Sequence, residues 1–148
     1  MTKFRGVSNL SLDAKGRMVL PARYRERLSE ICESKLVVTI DTDQPCLLIY
    51  PLPEWEIIQD KIDDLPGFNK VTRRIQRMLV GNATDVEVEA NGRLLLPAPL
   101  RDYAKLNKKM VLIGQGKKFE LWDEILWNEL LQEDVEDEMP AALEGLSL

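Results

Sequence analysis

Two short segments of the sequence place an acid and an arginine on either side of a glycine. Residues 13–17 read DAKGR and residues 89–93 read EANGR, so the acid and the arginine are four residues apart in both. Between two strands, this pattern predicts a hairpin turn in which the glycine adopts a positive φ and the acid pairs with the arginine. A guanidinium held in one direction is suited to bidentate contact with phosphate or with guanine O6 and N7.

The two segments differ in the residue before the glycine, which is Lys15 in the first and Asn91 in the second. A lysine adds a point charge for phosphate, and an asparagine adds an amide that can bond a base edge. The alternative for either segment alone is an ordinary turn with solvated charges. A solvated turn does not need the same charges twice, so the repetition favours binding. The candidate residues are Lys15, Gly16, Arg17, Asn91, Gly92 and Arg93, with Asp13 and Glu89 as the acids that orient the arginines by ion pairing.

The elements that must position these turns are themselves repeated. Residues 12–25, LDAKGRMVLPARYR, match residues 88–101, VEANGRLLLPAPLR, at an offset of 76. The match resumes at an offset of 72, where Trp55 corresponds to Trp127. Each copy has the order strand, turn, strand, short helix, strand, loop, strand and aromatic-bearing helix. The pattern predicts a β-rich α+β fold built from two copies of one unit.

The repeat divides the chain into two predicted units, residues 1–75 with linking helices and residues 76–148 with an acidic C-terminal helix. Each unit alone is marginal in size for a stable core, so we expect the units to pack together. Apolar residues at helical spacing predict linking helices over residues 54–65 and 68–80. The tryptophans lie at apolar helical positions, which favours anchors in the core over platforms that stack on bases.

The formal net charge of −5 argues weakly against binding to nucleic acid, but the charges are unevenly distributed. Residues 1–28 contain seven cations and two acids, whereas residues 119–148 contain ten acids and no cation. The basic end can meet phosphate while the acidic end stays away from it. Three arginines after the first turn are predicted to lie on a solvated helix face rather than to read bases. These are Arg23, Arg25 and Arg27.

A second basic group lies on the predicted helix 68–80. It consists of Lys70, Arg73, Arg74 and Arg77. Three interpretations remain open for it: a solvated face that covers an apolar stripe, a rival surface for DNA, or a contact with the acidic C-terminal helix of a neighbouring copy. The last would weaken with salt, since exposed ion pairs are screened.

The sequence gives little support to catalysis. It has no histidine, which excludes Ser-His-Asp and Cys-His arrangements and metal sites with histidine ligands. It also has no P-loop and no GxGxxG motif. Cys32 and Cys46 lack ligand spacing, so we predict no metal, no cofactor and no disulfide framework. With neither an apolar leader nor a membrane-length apolar run, a cytoplasmic protein that is not an enzyme is expected.

The opening residues FRGVSNLSLDAKGR, the LPAR start of the short helix and the tandem turns resemble the MraZ family over roughly residues 1–130. That family is similar in fold to the SpoVT-AbrB DNA-binding domains. The resemblance implies a pseudo-dimeric, double-split β-α-β fold, in which strands of the two copies interleave into a swapped-hairpin barrel with flanking helices. It also implies a sequence-specific DNA-binding transcriptional regulator, a repressor of the division and cell-wall gene cluster that includes its own gene.

The implied partners are double-stranded promoter DNA with repeated boxes and further copies of the chain in a ring-shaped homo-oligomer. The implied location is the cytoplasm, in association with the nucleoid, with no membrane or small-molecule partner. The positions that the resemblance assigns to DNA contact are Arg5, Lys15, Gly16, Arg17, Asn91, Gly92 and Arg93. The second turn departs from the family pattern at Glu89 and Asn91, which implies weaker contact with DNA or a role in completing the fold.

A protein of another class is the main alternative: an AbrB-like antitoxin or protein–protein adaptor. The acidic C-terminal segment would then bind the partner protein. Antitoxins of that kind usually have one domain and a long disordered tail, whereas here a second copy fills the C-terminal half. The arrangement of the chain therefore disfavours this alternative.

Overall fold

The computed structural model of the protein describes residues 3–133 and 140–146. The first repeat contains β1 (Phe4–Ser11), β2 (Arg17–Val19), α1 (Ala22–Cys32), β3 (Lys35–Ile40), β4 (Leu47–Pro51) and α2 (Leu52–Asp63). A linking helix, α3 (Lys70–Ile75), continues as a π-helix (Gln76–Val80). The second repeat contains β5 (Thr84–Glu87), β6 (Arg93–Leu95), α4 (Ala98–Tyr103), β7 (Lys109–Gly116), β8 (Phe119–Asp123) and α5 (Glu124–Leu131), and α6 (Ala141–Glu144) follows.

The strands of the two repeats interleave. Six of them form an antiparallel sheet in the order β1-β7-β8-β4-β3-β5, so β1 pairs with a strand of the second repeat and β5 with a strand of the first. The other two, β2 and β6, pair with each other across the repeats. We call this two-stranded β2–β6 sheet the ribbon. The predicted α+β fold with exchanged strands is confirmed.

One hydrophobic core serves both repeats. Met18 and Leu94, at the centre of the ribbon, point inward and are almost fully buried. Leu20 and Leu96 follow the ribbon strands at matching positions and have no exposed surface. Since residues from both repeats fill this core, each repeat supplies the apolar surface that the other needs.

Pro21 and Pro97 directly precede α1 and α4 and turn the chain from ribbon into helix. Their fixed φ suits the residue before the first helical turn, where a missing N–H group leaves no hydrogen bond unmade. α1 has 11 residues and α4 has 6, which is part of the reason that the offset between the repeats changes along the chain.

Two of the tryptophans are confirmed as core anchors. Trp55 is 3% exposed and packs on Tyr50, with ring centroids 5.5 Å apart. Trp122 is 2% exposed and packs on the partly buried Trp127. These contacts attach α2 and α5 to the six-stranded sheet.

The linking helix differs from its prediction over residues 68–80. The side chain of Asn69 accepts a hydrogen bond from the N–H of Val71 and caps the helix, which begins at Lys70. Phe68 therefore lies outside the helix and is 97% exposed, and Val71 is also exposed, so neither belongs to the expected apolar stripe. The change to a π-helix at Gln76 further shifts the phase of the side chains.

Both cysteines are buried and free. Within the described ranges 3–133 and 140–146, no helix is long and apolar enough to cross a lipid bilayer. Part of the acidic run of the C-terminal stretch, residues 134–139, lies outside the described residues.

Candidate nucleic-acid interface

The first turn is held together by the side chain of Asp13. Its Oδ1 atom accepts hydrogen bonds from the backbone N–H groups of Lys15 and Arg17, both at 2.9 Å, and its Oδ2 atom accepts one from Nε of Arg17 at 2.9 Å. The predicted Asp13–Arg17 ion pair thus forms, and the acid that closes the turn also fixes the guanidinium. The hydrogen bond from the Arg17 N–H is the main cause that lowers the pKa of Asp13 below its ordinary value.

The glycine of this turn has the positive φ that the sequence predicts. Gly16 has φ +84°, and its N–H donates to the carbonyl of Asp13, while the Asp13 N–H donates to the carbonyl of Arg17. This is the pattern of a three-residue hairpin loop that ends in a left-handed glycine and a bulge.

The second turn repeats the backbone of the first but not its ion pair. Gly92 has φ +85°, and the same two backbone hydrogen bonds join it and Arg93 to Glu89. Within the described part of the chain, no ion pair joins Glu89 and Arg93, so the structure does not show the orienting contact predicted for Glu89. The Oδ1 atom of Asn91 accepts from the Arg93 N–H at 3.1 Å instead. Asp and Asn reach their own backbone two residues on, which the longer Glu side chain does not match.

The ribbon brings the two arginines onto one face. Arg17 lies opposite Leu95, and Val19 lies opposite Arg93. Because side chains alternate along a strand, these four residues share the outer face of the ribbon, while Met18 points into the core. We call this surface the ribbon face; it consists of Arg17, Val19, Arg93 and Leu95.

The two arginines occupy diagonal positions on the ribbon face, a spacing of about 7–8 Å. Each turn is also bonded to the opposite repeat: the N–H of Leu20 donates to the carbonyl of Gly92, and that of Leu96 donates to the carbonyl of Gly16. The turns therefore lie at opposite ends of a fixed ribbon, and their spacing is set by backbone pairing.

Arg25 and Arg101 belong to the same surface, which the sequence did not predict. Nε of Arg25 donates to the carbonyl of Leu20 at 2.8 Å, and Nε of Arg101 donates to the carbonyl of Leu96 at 3.0 Å. A Cβ atom built on Gly92 would lie 2.5 Å from Cζ of Arg25, so that guanidinium rests on the turn of the other repeat.

The same contact occurs at the other end of the ribbon, where a Cβ atom on Gly16 would lie 2.6 Å from Cζ of Arg101. Because its guanidinium lies against Gly92, Arg25 is half-buried rather than on a solvated helix face as predicted. The signal was present in the sequence, because Arg25 and Arg101 correspond at the offset of 76.

The structure separates Arg5 from the first turn. Arg5 lies near the start of β1, opposite Gln115, eight residues before Asp13, which is roughly 26 Å along an extended strand. Its carbonyl accepts a hydrogen bond from the hydroxyl of Tyr24 at 2.7 Å. Arg5 therefore lies away from the first turn and beside α1, the helix that carries Arg25, and its contact with DNA stays a prediction.

The basic linking helix carries another group of cations that the sequence singles out. Its cations, Lys70, Arg73, Arg74 and Arg77, line an open cavity of about 410 Å³ together with Met78. This helix precedes β5, whereas the second turn follows β5 at its other end.

A third cluster contains groups that can bind metals but that form hydrogen bonds within the protein. Ligand atoms of Asp41, Cys46 and Glu120 lie within 4.8 Å of one another. The thiol of Cys46 donates to Asp41, and Glu120 accepts from Nε1 of Trp122 at 2.9 Å. Burial raises the pKa of the Cys46 thiol, which keeps it protonated. We assign this cluster to the packing of the β3–β4 loop.

The charges of the interface are mostly positive. The ribbon and its turns carry the three cations Lys15, Arg17 and Arg93 and the two acids Asp13 and Glu89. Two further cations, Arg25 of α1 and Arg101 of α4, rest against the turns. Because Asp13 is already ion-paired with Arg17, the surface is suited to an anion that presents hydrogen-bond acceptors in a groove.

The tandem organisation agrees with a comparison to known families. The family model described as "MraZ protein, putative antitoxin-like" matches residues 3–78 and, a second time, residues 79–145. The chain belongs to the MraZ family. The two matched segments contain one turn each, so the family pattern covers both halves of the ribbon.

Curated relatives support the same assignment over nearly the full length. The chain is 55% identical to the transcriptional regulator MraZ of Thioalkalivibrio sulfidiphilus, over 98% of this chain and 99% of that protein. It is 50% identical to the protein of the same name from Alkalilimnicola ehrlichii, at the same coverage. The Pseudomonas aeruginosa protein of that name is 53% identical over 89% of this chain and 87% of its own length. The family is thus one of transcriptional regulators rather than of enzymes.

Proposed function

We propose that this chain is a sequence-specific DNA-binding transcriptional regulator that inserts its ribbon into the major groove. The observation that carries the proposal is the pair of arginines, Arg17 and Arg93, on the outer face of a two-stranded ribbon. The major groove of B-DNA is wide enough to admit such a ribbon. A three-residue strand pair is also short enough for both turns to reach the flanking backbone.

Each group on this surface has a role in the proposed mechanism. Arg17 and Arg93 bind guanine O6 and N7, and Asp13 holds the first guanidinium in the direction that bidentate contact requires. Arg25 and Arg101 use Nε for the protein backbone, which leaves their terminal N–H groups for phosphate. Asn91 uses Oδ1 within its turn, so its amide donors face the DNA.

Lys15 would add a phosphate contact beside the first turn. Its backbone N–H is bonded to Asp13 and its side chain is exposed. With a lysine and an oriented arginine, the first turn contributes more to binding than the second.

One protomer offers few cations, so we propose that several copies act together in a ring on repeated boxes. Each neutralised phosphate contributes about 0.9 to the slope of log K on log salt concentration, and linked sites raise the effective concentration of the next contact. By the family resemblance, the proposed targets are promoter repeats of the division and cell-wall gene cluster, including the chain's own gene. The proposed effect is repression, exerted in the cytoplasm on nucleoid DNA.

The test compares two arginine variants on DNA from upstream of the chain's own gene. Arg17→Ala removes a base-reading group, whereas Arg27→Ala removes one charge from an exposed arginine whose guanidinium approaches the carbonyl of Lys3, at the far end of β1. We expect Arg17→Ala to lose specific binding and its footprint, and Arg27→Ala to keep both. Equal specific binding by the two variants would contradict the proposal.

The description of the matching family as antitoxin-like favours one alternative function, that of a protein–protein adaptor. It predicts that the chain co-purifies with a small partner protein in a fixed ratio. It also predicts that Arg17→Ala leaves this association unchanged, since the turn would not be the binding surface.

A further inference from the structure

The ribbon face carries two apolar side chains that the proposed function has not used. Val19 is 45% exposed and Leu95 is 56% exposed, although each directly follows or precedes residues that are fully buried. They occupy the same position in the two repeats, at the offset of 76. A single exposed apolar residue needs no explanation, but a matched pair at the centre of a charged surface does.

The pairing register places each apolar residue beside an arginine. Arg17 is directly across from Leu95, and Arg93 is directly across from Val19. Side chains at such positions have Cβ atoms about 4.5–5.5 Å apart, which is comparable with the 3.4 Å step between bases on one strand. An arginine and its apolar partner can therefore meet neighbouring bases at the same time.

Only one apolar group is displayed by the base edges in the major groove, the 5-methyl group of thymine. On the basis of the proposed function, we infer that Val19 and Leu95 contact thymine methyl groups next to the guanines bound by Arg93 and Arg17. The short apolar side chains pack on the methyl groups, while the longer arginines extend to O6 and N7. The ribbon thus reads two features at each end, a guanine by hydrogen bonds and a thymine by apolar contact.

A second copy of the chain fits this surface less well. A symmetric contact through the ribbon face would bring Arg17 and Arg93 towards the same arginines of the other copy. Like charges placed opposite each other are destabilising, and among the described residues only one of the two arginines, Arg17, is paired with an acid. DNA supplies both the methyl groups and the acceptors that this face requires.

The experiment replaces thymine by uracil, which removes only the methyl group. The probe is the fragment from upstream of the chain's own gene, prepared with thymine or with uracil throughout. Loss of one buried methyl group weakens binding by about 4-fold, and loss of two by about 15-fold. We therefore expect the full-length protein to bind the uracil fragment about 15-fold more weakly per bound site.

Substitutions assign this effect to the ribbon. In Val19→Ala with Leu95→Ala, the ratio between the uracil and thymine fragments should fall close to 1, and each single variant should keep an intermediate ratio. Val7→Ala is the matched control, because Val7 is 55% exposed but lies on the six-stranded sheet. Val7→Ala should keep the wild-type ratio of affinities for the two fragments. Where a variant binds weakly, lower salt raises all affinities and the ratio is still measured.

The outcomes separate this inference from the proposed function. Specific binding of the wild-type protein to both fragments with equal affinity would overturn the methyl contact and leave DNA recognition intact. The methyl contact would also be overturned if the double variant kept the wild-type ratio of affinities for the thymine and uracil fragments, because the methyl groups would then be read elsewhere. Failure of the wild-type protein to bind the thymine fragment above unrelated DNA would overturn the proposed function and this inference with it.

Discussion

Gly16→Ala tests the contact between a turn of one repeat and an arginine of the other. Gly16 has φ +84°, and the added Cβ atom would lie 2.6 Å from Cζ of Arg101. Gly116 offers a matched control, because its φ is +80° and no heavy atom of the described residues lies within 4 Å of the position of a Cβ atom. The two substitutions impose the same backbone strain, and only the first displaces a guanidinium.

The expected magnitudes follow from these two contributions. The left-handed conformation costs a residue with a Cβ atom about 1–2 kcal/mol, which applies to both substitutions. In Gly16→Ala, Arg101 must also move and lose the hydrogen bond from its Nε to the carbonyl of Leu96, a further loss of about 0.5–1.5 kcal/mol. We expect Gly116→Ala to lower the free energy of unfolding by about 1–2 kcal/mol and Gly16→Ala by about 1.5–3.5 kcal/mol.

Urea unfolding of the full chain measures both values, and a double-mutant cycle isolates the contact. Arg101→Ala removes the displaced side chain, so Gly16→Ala with Arg101→Ala should cost less than the sum of the two single changes. Equal losses for Gly16→Ala and Gly116→Ala, together with strict additivity in the double variant, would refute the reasoning. The turn would then be independent of the other repeat.

Three further predictions concern the core, the turn acid and a buried thiol. Leu20→Ala and Leu96→Ala, at matching buried positions, should each lower the free energy of unfolding by about 2–5 kcal/mol in urea titration, and a small loss for either would contradict a shared core. By NMR titration the carboxyl of Asp13 should have a pKa below 3.8, because the Arg17 N–H donates a hydrogen bond to its charged form. The contribution of this carboxylate to stability is complete above pH 3.8 and is lost as the pH falls through the lower pKa of the folded state. A titration midpoint above 3.8 would contradict this prediction. Cys46 should react with a disulfide reagent at pH 8 only after unfolding, because burial raises its pKa, and fast labelling of the folded chain would be inconsistent with that burial.

The local parts of the site could be predicted from the sequence because short-range chemistry determines them. The place of the two turn glycines between an acid and an arginine predicts a positive φ, and both glycines have it. The same spacing predicts the ion pair of Asp13 with Arg17, which the structure contains. The single methylene that distinguishes Glu89 from Asp13 changed the outcome in the second turn, where Asn91 bonds the backbone instead.

The parts that depend on distant residues do not follow from local patterns. The sequence patterns indicate strands at residues 17–19 and 93–95, but no local pattern says that they pair with each other. The expectation that the strands interleave and that the two turns share a face comes only from the family resemblance, because no local pattern shows it. The position of Arg25 was missed for the same reason, since its guanidinium rests on a turn that lies more than 60 residues away along the chain.

The differences between the two turns give the ribbon a direction. Repeat symmetry places Arg17 and Arg93 at equivalent positions, yet within residues 3–133 and 140–146 only Arg17 of the two is ion-paired with an acid, and Lys15 stands where the second turn has Asn91. On the ribbon face, Val19 and Leu95 also differ in size and reach. In the proposed mechanism, a half-turn of the protein on its DNA site would therefore exchange unlike groups. One protomer then distinguishes a box from its reverse, which a symmetric dimer of identical domains could not do, because its two halves would make the same contacts in either orientation.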